Sequence, residues 1–257
     1  MGRTVIVGPG AMGRLHAALL AKAGVDVVLL DYRPERAKDL RERGVVLRHA
    51  SGEEHVALSV MANPEEVGPA DLVVLMVKAY STEWAARHVL AAATDETVWA
   101  TLQNGLGNIE SIRRVVPSAV LVAGVTTTGA NLAADGSVNI AAVGGTIVGP
   151  IETASLADAQ RLSVTWQQAG LACEVVPDPW PTIWRKLVVN AAINPIAGLA
   201  GRPNGDVVEV DHLWRLAAAV AREVASVARA EAVDLGAGFD PVEAVAEVCR
   251  LTATNRC

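Results

Sequence analysis

Gly8, Gly10 and Gly13 stand in the string VIVGPGAMG with G-x-G-x-x-G spacing, between a hydrophobic run and an amphipathic one. At a strand-to-helix junction the first glycine permits a tight turn, the second lets a pyrophosphate approach the backbone, and the third packs helix on strand. The helix N-terminus adds amide donors. The chemistry open to Gly8, Pro9, Gly10, Ala11, Met12 and Gly13 is therefore dinucleotide binding. The next hydrophobic run, VDVVLLD, ends at Asp31, with Arg33 and Arg36 just beyond. Asp31 could accept from a ribose 2′-hydroxyl, as for NAD, whereas Arg33 could hold a 2′-phosphate, as for NADP, so residue types leave both cofactors open.

Two more polar residues close hydrophobic runs: Lys78 after LVVLMV, and Asn104 in QNG after VWATL. In an open parallel sheet, ligands gather beyond the carboxyl ends of the strands. That edge is where the glycine loop, Asp31, Lys78 and Asn104 would meet. A third group lies far downstream, in WRKLVVNAAINPI, where Lys186, Asn190 and Asn194 recur four residues apart along an otherwise apolar stretch. At about 100° per residue, such positions share one helix face. A buried Lys or Asn without partners costs several kcal/mol, so the line serves either an internal polar network or a cleft with a polar ligand. Pro195 lacks an N–H and is expected to kink this helix.

The elements that must position these residues follow from patterning. Short β-branched runs alternate with amphipathic stretches through the first half: TVIVG, a helix over about 11–23, VDVVLLD, a helix after Pro34, DLVVLMV, a helix over about 82–92, and TVWATL. Near-continuous apolar strands between helices predict a parallel sheet covered on both faces. Two strand-like pieces over 45–60 form a local extension, and VLVAGVTTTGANL, SVNIA and TIVGP read as later strands, followed by a helix over about 156–169 and the strand CEVV. After PDPWP the composition turns helical, over about 182–199, 213–235 and from Pro241 onward. The fold class is thus α/β, with a Rossmann-type dinucleotide-binding domain over 1–177 and an all-helical domain over 178–257.

Composition excludes several classes. Hydrophobic residues make up 51% of 257 and include a single Phe, which rules out global disorder, and no run reaches membrane-span length. The formal net charge of −6, with basic and acidic residues mixed as in RPERAKDLRERG, argues against nucleic acid as a partner. Cys173, Cys249 and Cys257 form no CxxC pair and the five His show no HxxxH spacing, so neither a disulfide framework nor a metal site is expected. The start MGRTVIVGPGAMG has no signal-peptide pattern, and a cytoplasmic location is expected.

With GPGAMG, VKAYST, LQNGLG and WRKLVVNAAINPI in this order, the chain closely resembles the ketopantoate reductase (2-dehydropantoate 2-reductase) family along its whole length. The resemblance implies a Rossmann domain joined to a helical domain of the 6-phosphogluconate dehydrogenase C-terminal type, with an active site in the cleft between them. It implies NADPH-dependent reduction of a small 2-keto acid, 2-dehydropantoate, to (R)-pantoate, a step toward pantothenate and coenzyme A. Position by position, Lys186 matches the catalytic lysine, Asn190 and Asn194 match substrate-binding asparagines, and Lys78 and Asn104 match residues near the nicotinamide end, with Asn104 also at the substrate. Asn255 matches a further substrate contact.

Two departures accompany the match. The family motif T-A-x-N-R-S-S-M continues into another helix, whereas this chain reads LTATNRC to Cys257, so truncation of a longer protein is expected. Asp31 would repel a 2′-phosphate unless turned away or offset by Arg33, which keeps NADH in view beside NADPH. A reductase of another branched 2-keto acid and a non-catalytic NAD(P)-binding sensor are the competing readings. The apolar faces of the long helices admit a homodimer through the helical domain.

Overall fold

A computed structural model of the chain describes residues 2–152 and 154–256. Cys257, where the family motif breaks off, lies outside the described residues. The chain divides into two compact units, Met1–Pro179 and Trp180–Cys257. The division falls two residues beyond the expected boundary; the chain bonds to the sheet as far as Val176, whose N donates to Val148 O (2.9 Å).

The first unit carries strands β1 (Thr4–Val7), β2 (Val27–Leu30), β3 (Val45–His49), β4 (Gly52–Val56), β5 (Ser59–Met61), β6 (Ala70–Leu75), β7 (Ala93–Thr101), β8 (Val120–Thr126), β9 (Gly129–Leu132), β10 (Val138–Ala142), β11 (Thr146–Ile151) and β12 (Cys173–Val175). Its helices are α1 (Ala11–Lys22), α2 (Pro34–Arg43), α3 (Thr82–Val89), α4 (Asn108–Arg113) and α5 (Leu156–Gln168). Eight strands form one sheet in the order β12-β11-β8-β7-β6-β1-β2-β5, parallel at every pair except β8 with β11. The strand order reverses between β1 and β6, which makes the crevice beyond their carboxyl ends the topological switch point.

Burial follows the period of two. Ile6, Leu29, Val74, Val98 and Ala100 pack into one core with Leu15, Leu20 and Trp166 of α1 and α5. Val5, Val7, Val28, Val73 and Leu75, equally buried, point to the opposite face. Each parallel strand is therefore apolar on both sides, which is why these runs lack polar alternation.

Two strand expectations need correction. The 45–60 stretch holds three strands rather than two, and β5 leaves the local extension to pair with β2 in the main sheet. The run VLVAGVTTTGANL is two strands in different sheets: β8 joins the large sheet, and β9 joins a four-stranded sheet ordered β4-β3-β10-β9. Thr127 N bonds Gly145 O (2.9 Å) and Thr128 Oγ1 bonds Gly144 O (3.1 Å), so the crossing between sheets is pinned at residues whose types look strand-like.

The second unit is helical: α6 (Trp180–Ala200), α7 (Asn204–Glu209), α8 (Asp211–Ala230) and α9 (Pro241–Leu251). Its core sets Trp184, Val188, Ala192, Ile193 and Ile196 of α6 against Ala217, Ala221, Ala225 and Ala228 of α8 and Val245 and Cys249 of α9. The small alanine stripe lets α6 and α8 approach closely. Helix α6 runs through Pro195 to Ala200, close to the expected span. Helix α8 stops at Ala230, five residues short of the expected Leu235, because Ala232 adopts a left-handed φ of 59° and Val233 N bonds Ala228 O (2.9 Å). That closure ordinarily uses glycine, and its absence left no stop signal to read. The short helix α7 was also unexpected.

Candidate active site

The glycine loop lies between β1 and α1, and its three glycines are held to different roles. Gly8 has φ +115°, and a Cβ there would sit 2.8 Å from Val77 Cγ1 and 3.0 Å from Val77 N. On Gly13, a Cβ would fall 1.8 Å from Gly8 O. On Gly10 it would meet nothing within 4 Å. The first and third positions are therefore closed by packing, and the second faces open space where a phosphate could approach. Gly10 is also the N-cap of α1, with no side-chain cap and no acidic residue in the first turn, so nothing anionic already occupies the helix dipole.

Asp31 follows β2 directly and is fully buried. Arg36, two residues into α2, donates to both of its oxygens, Nη2 to Oδ1 at 2.7 Å and Nε to Oδ2, and Arg33 N donates to Oδ1 (3.0 Å). Donating to this carboxylate raises the pKa of Arg36. Arg33 is exposed, its guanidinium lying over the Tyr32 ring at 5.2 Å, and Tyr32 in turn packs edge-on against Trp84 at the start of α3.

Lys78 and Asn104 follow β6 and β7, both exposed. The loops that carry them are joined through a residue whose role the sequence did not announce, Gln103. Its Nε2 donates to Val77 O (2.7 Å) and Thr82 Oγ1 (2.9 Å), and its Oε1 accepts from Thr101 Oγ1 (2.9 Å). Thr82 Oγ1 then donates to Asn108 Oδ1 (3.1 Å), whose amide donates to Asn104 O (3.3 Å). This partly buried chain fixes the two loops as one piece at the sheet edge. The parallel register thus brings the glycine loop, Asp31, Lys78 and Asn104 to the carboxyl edge of one sheet.

In the second unit, Lys186, Asn190 and Asn194 fall on one face of α6, while Val188, Ala192 and Ile193 fill the helical core. Lys186 and Asn190 are half-buried and Asn194 is exposed. Burial lowers the Lys186 ammonium to about 8. Asn255 is exposed in the segment after α9, with its carbonyl accepting from Asn204 N (2.9 Å).

The ketopantoate reductase PanE/ApbA family model matches residues 4–153, and the family's C-terminal model matches residues 178–257. This chain belongs to the ketopantoate reductase family. A 2-dehydropantoate 2-reductase of Archaeoglobus fulgidus is 38% identical over 99% of this chain and 82% of its own length, and one of Halobacterium salinarum is 34% identical over 98% and 83%. A ketopantoate reductase structure from Geobacter metallireducens superposes with a TM-score of 0.89 at 26% identity, covering 99% of this chain and 84% of that one. As a member of this family, the chain carries Rossmann-type topology in the first unit and the family's helical fold in the second.

Residue types had flagged the glycine loop, Asp31, Arg33, Lys78, Asn104 and the α6 line. They did not flag Gln103, Thr82 or Asn108. The only available signal was the QNG turn, which reads as a turn rather than as a hydrogen-bonding hub.

Proposed function

We propose that this ketopantoate reductase reduces the ketone of 2-dehydropantoate to (R)-pantoate with NADPH, and that Lys186 is the general acid. The carrying observation is the placement of an ammonium acidified to about 8 on the same helix face as two carboxamides. Bound at the glycine loop, NADPH would supply a hydride to the carbonyl carbon. Negative charge then grows on the carbonyl oxygen, and an ammonium beside it stabilises that charge and releases its proton to it. A pKa near 8 suits this task, since the group is mainly protonated at neutral pH yet gives up the proton more readily than an ordinary lysine.

Asn190 and Asn194 each offer a donor and an acceptor, enough to hold a substrate hydroxyl and carboxylate or carbonyl in one orientation, with Asn255 as a further contact. The open side of Gly10 and the uncapped start of α1 fit a pyrophosphate, so Gly8, Pro9, Gly10, Ala11, Met12 and Gly13 would hold it. Lys78 and Asn104 are assigned to the nicotinamide end, with Asn104 also reaching substrate. NADPH is preferred over NADH in this reading because Arg36 already neutralises Asp31, leaving the exposed Arg33 to receive a 2′-phosphate. A cytoplasmic setting suits two buried free thiols, Cys173 and Cys249, both pushed up by burial to about 11 and so unreactive.

The test is spectrophotometric. Addition of 2-dehydropantoate should consume NADPH absorbance, with kcat/KM exceeding that for other branched 2-keto acids. Tight NADPH binding with no turnover of any keto acid would instead favour the sensor reading.

A further inference from the structure

Arg14, in the first turn of α1, is a buried cation that the proposed chemistry does not use. It is 7% exposed. Burial lowers its pKa, with nearby Arg36 acting in the same direction. A guanidinium in such a place is costly to desolvate, and an aliphatic side chain would cover the same helix face more cheaply. Its partners are two backbone carbonyls that belong to different sheets' loops. Nε donates to Pro9 O at 2.8 Å, inside the glycine loop, and Nη1 donates to Gly136 O at 2.6 Å, in the turn between β9 and β10.

The Pro9 contact has a directional consequence. No peptide bond is cis, and in a planar trans peptide the C=O and the following N–H point in opposite directions. Holding Pro9 O toward Arg14 therefore aims the Gly10 N–H the other way, to the side of the loop away from the guanidinium. Glycine at position 10 would otherwise leave that peptide free to rotate, since it has the widest conformational range of any residue.

The other end of the clamp is itself fixed. Gly136 has φ +84°, and its turn is closed by Gly136 N to Ala133 O (2.9 Å) and Ala133 N to Ser137 O (2.9 Å). Asp135 Oδ1 accepts from Ser137 N (3.0 Å) and Ser137 Oγ (2.6 Å), while Asp135 Oδ2 pairs with Arg48 of β3 at 2.6 Å. The small sheet thus acts as a rigid mount for one carbonyl, and Arg14 transmits that position to the loop.

We propose that Arg14 is the positioning residue of the glycine loop: anchored by the β9–β10 turn, it fixes the Pro9–Gly10 peptide so that the Gly10 N–H is presented to the dinucleotide phosphates. This rests on the glycine loop being the dinucleotide site. The role assigns a function to the four-stranded sheet, which otherwise lies outside the Rossmann framework.

The experiment is a fluorescence titration of NADPH into the full chain and into Arg14→Met, Arg14→Lys, Asp135→Ala and the Arg14→Met/Asp135→Ala double variant, with steady-state kinetics alongside. Arg14→Met should raise the Kd for NADPH about tenfold or more. At saturating NADPH, kcat and the KM for 2-dehydropantoate should stay within about twofold of the unsubstituted chain. Arg14→Lys, which keeps the charge and one donor direction, should recover part of the affinity. Asp135→Ala removes the carboxylate that ties the turn to Ser137 and Arg48, without touching the glycine loop, and should still weaken NADPH binding about threefold, with no further loss when added to Arg14→Met, because both act through one clamp. A Kd within twofold of the unsubstituted chain for Asp135→Ala, or losses that add in the double variant, would overturn the proposal, and the Asp135→Ala titration decides even if Arg14→Met does not fold. Failure of the unsubstituted chain to bind NADPH would overturn both this role and the dinucleotide reading, whereas normal binding that the variants leave unchanged removes this role alone.

Discussion

Both carboxylate oxygens of Asp31 accept hydrogen bonds from the single guanidinium of Arg36, and the carboxylate is sealed from solvent. An acid at the end of the second Rossmann strand ordinarily favours a ribose hydroxyl and rejects a 2′-phosphate. Here its charge is balanced by a side chain from its own neighbouring helix, and what the surface presents is Arg33.

Arg33→Ala should therefore lower kcat/KM for NADPH about 10- to 100-fold, the scale of one charge-assisted hydrogen bond, while leaving NADH nearly unchanged. The ratio of kcat/KM values with the two cofactors measures this. A similar fall with both cofactors would place Arg33 elsewhere in the site. Arg36→Ala should behave differently, since it strands a fully buried carboxylate and should cost about 3–5 kcal/mol of stability in urea unfolding.

Lys186 sets the expected pH dependence of reduction. In the proposed mechanism its ammonium is the acid, and burial lowers its pKa to about 8, so the protonated form dominates from neutral pH downward. The rate at saturating substrates should be flat toward neutral pH and fall as pH rises through about 8, roughly tenfold per unit. Lys186→Ala should reduce kcat about 10²- to 10⁴-fold with the Kd for NADPH unchanged. An alkaline limb that persists in the Lys186→Ala variant would assign the titration to another group.

The glycines of the loop should separate binding from folding. Gly10→Val places its Cβ where nothing lies within 4 Å, so thermal stability should change little while the Kd for NADPH rises at least about tenfold. Gly13→Ala drives a Cβ to within 1.8 Å of Gly8 O, and α1 must shift from β1 to relieve it. That variant should lose Tm as well as affinity. Equal Tm losses in both would show that Gly10 is also packed.

His16 makes the first unit acid-sensitive. It is fully buried beside Trp166, its Nδ1 lies 2.8 Å from Met12 O, and burial lowers its pKa from 6.5 to about 4. A base whose folded pKa is lowered is bound neutral, so its contribution is whole above about 6.5 and is lost as pH falls toward 4. The loss is on the order of 3 kcal/mol, from about 1.4 kcal/mol per unit. Urea unfolding of the chain and of His16→Phe between pH 7 and 4 measures it, and the variant should show the shallower slope.

Much of this was legible in the chain itself. The VIVGPGAMG junction, the strands VDVVLL and LVVLMV, and the i, i+4 spacing of Lys186, Asn190 and Asn194 are local properties, governed by backbone periodicity and by the steric needs of single glycines. Residues near one another in sequence determine them, so they survive reading in one dimension. They carried the α/β class, the helical second half and the candidate residues.

What only the tertiary structure decided were pairings between distant segments. The split of VLVAGVTTTGANL between two sheets depends on Gly144 and Gly145, and the end of α8 on a left-handed Ala232. Whether Asp31 is a ribose acceptor or an internal counter-ion depends on a rotamer of Arg36, and Arg14 gains its role only because Gly136, 122 residues away, returns to α1. Hydrogen bonds and charge pairs are short-ranged, and their partners are chosen by how the chain folds back, so composition and spacing named the groups while the fold set what each one touches.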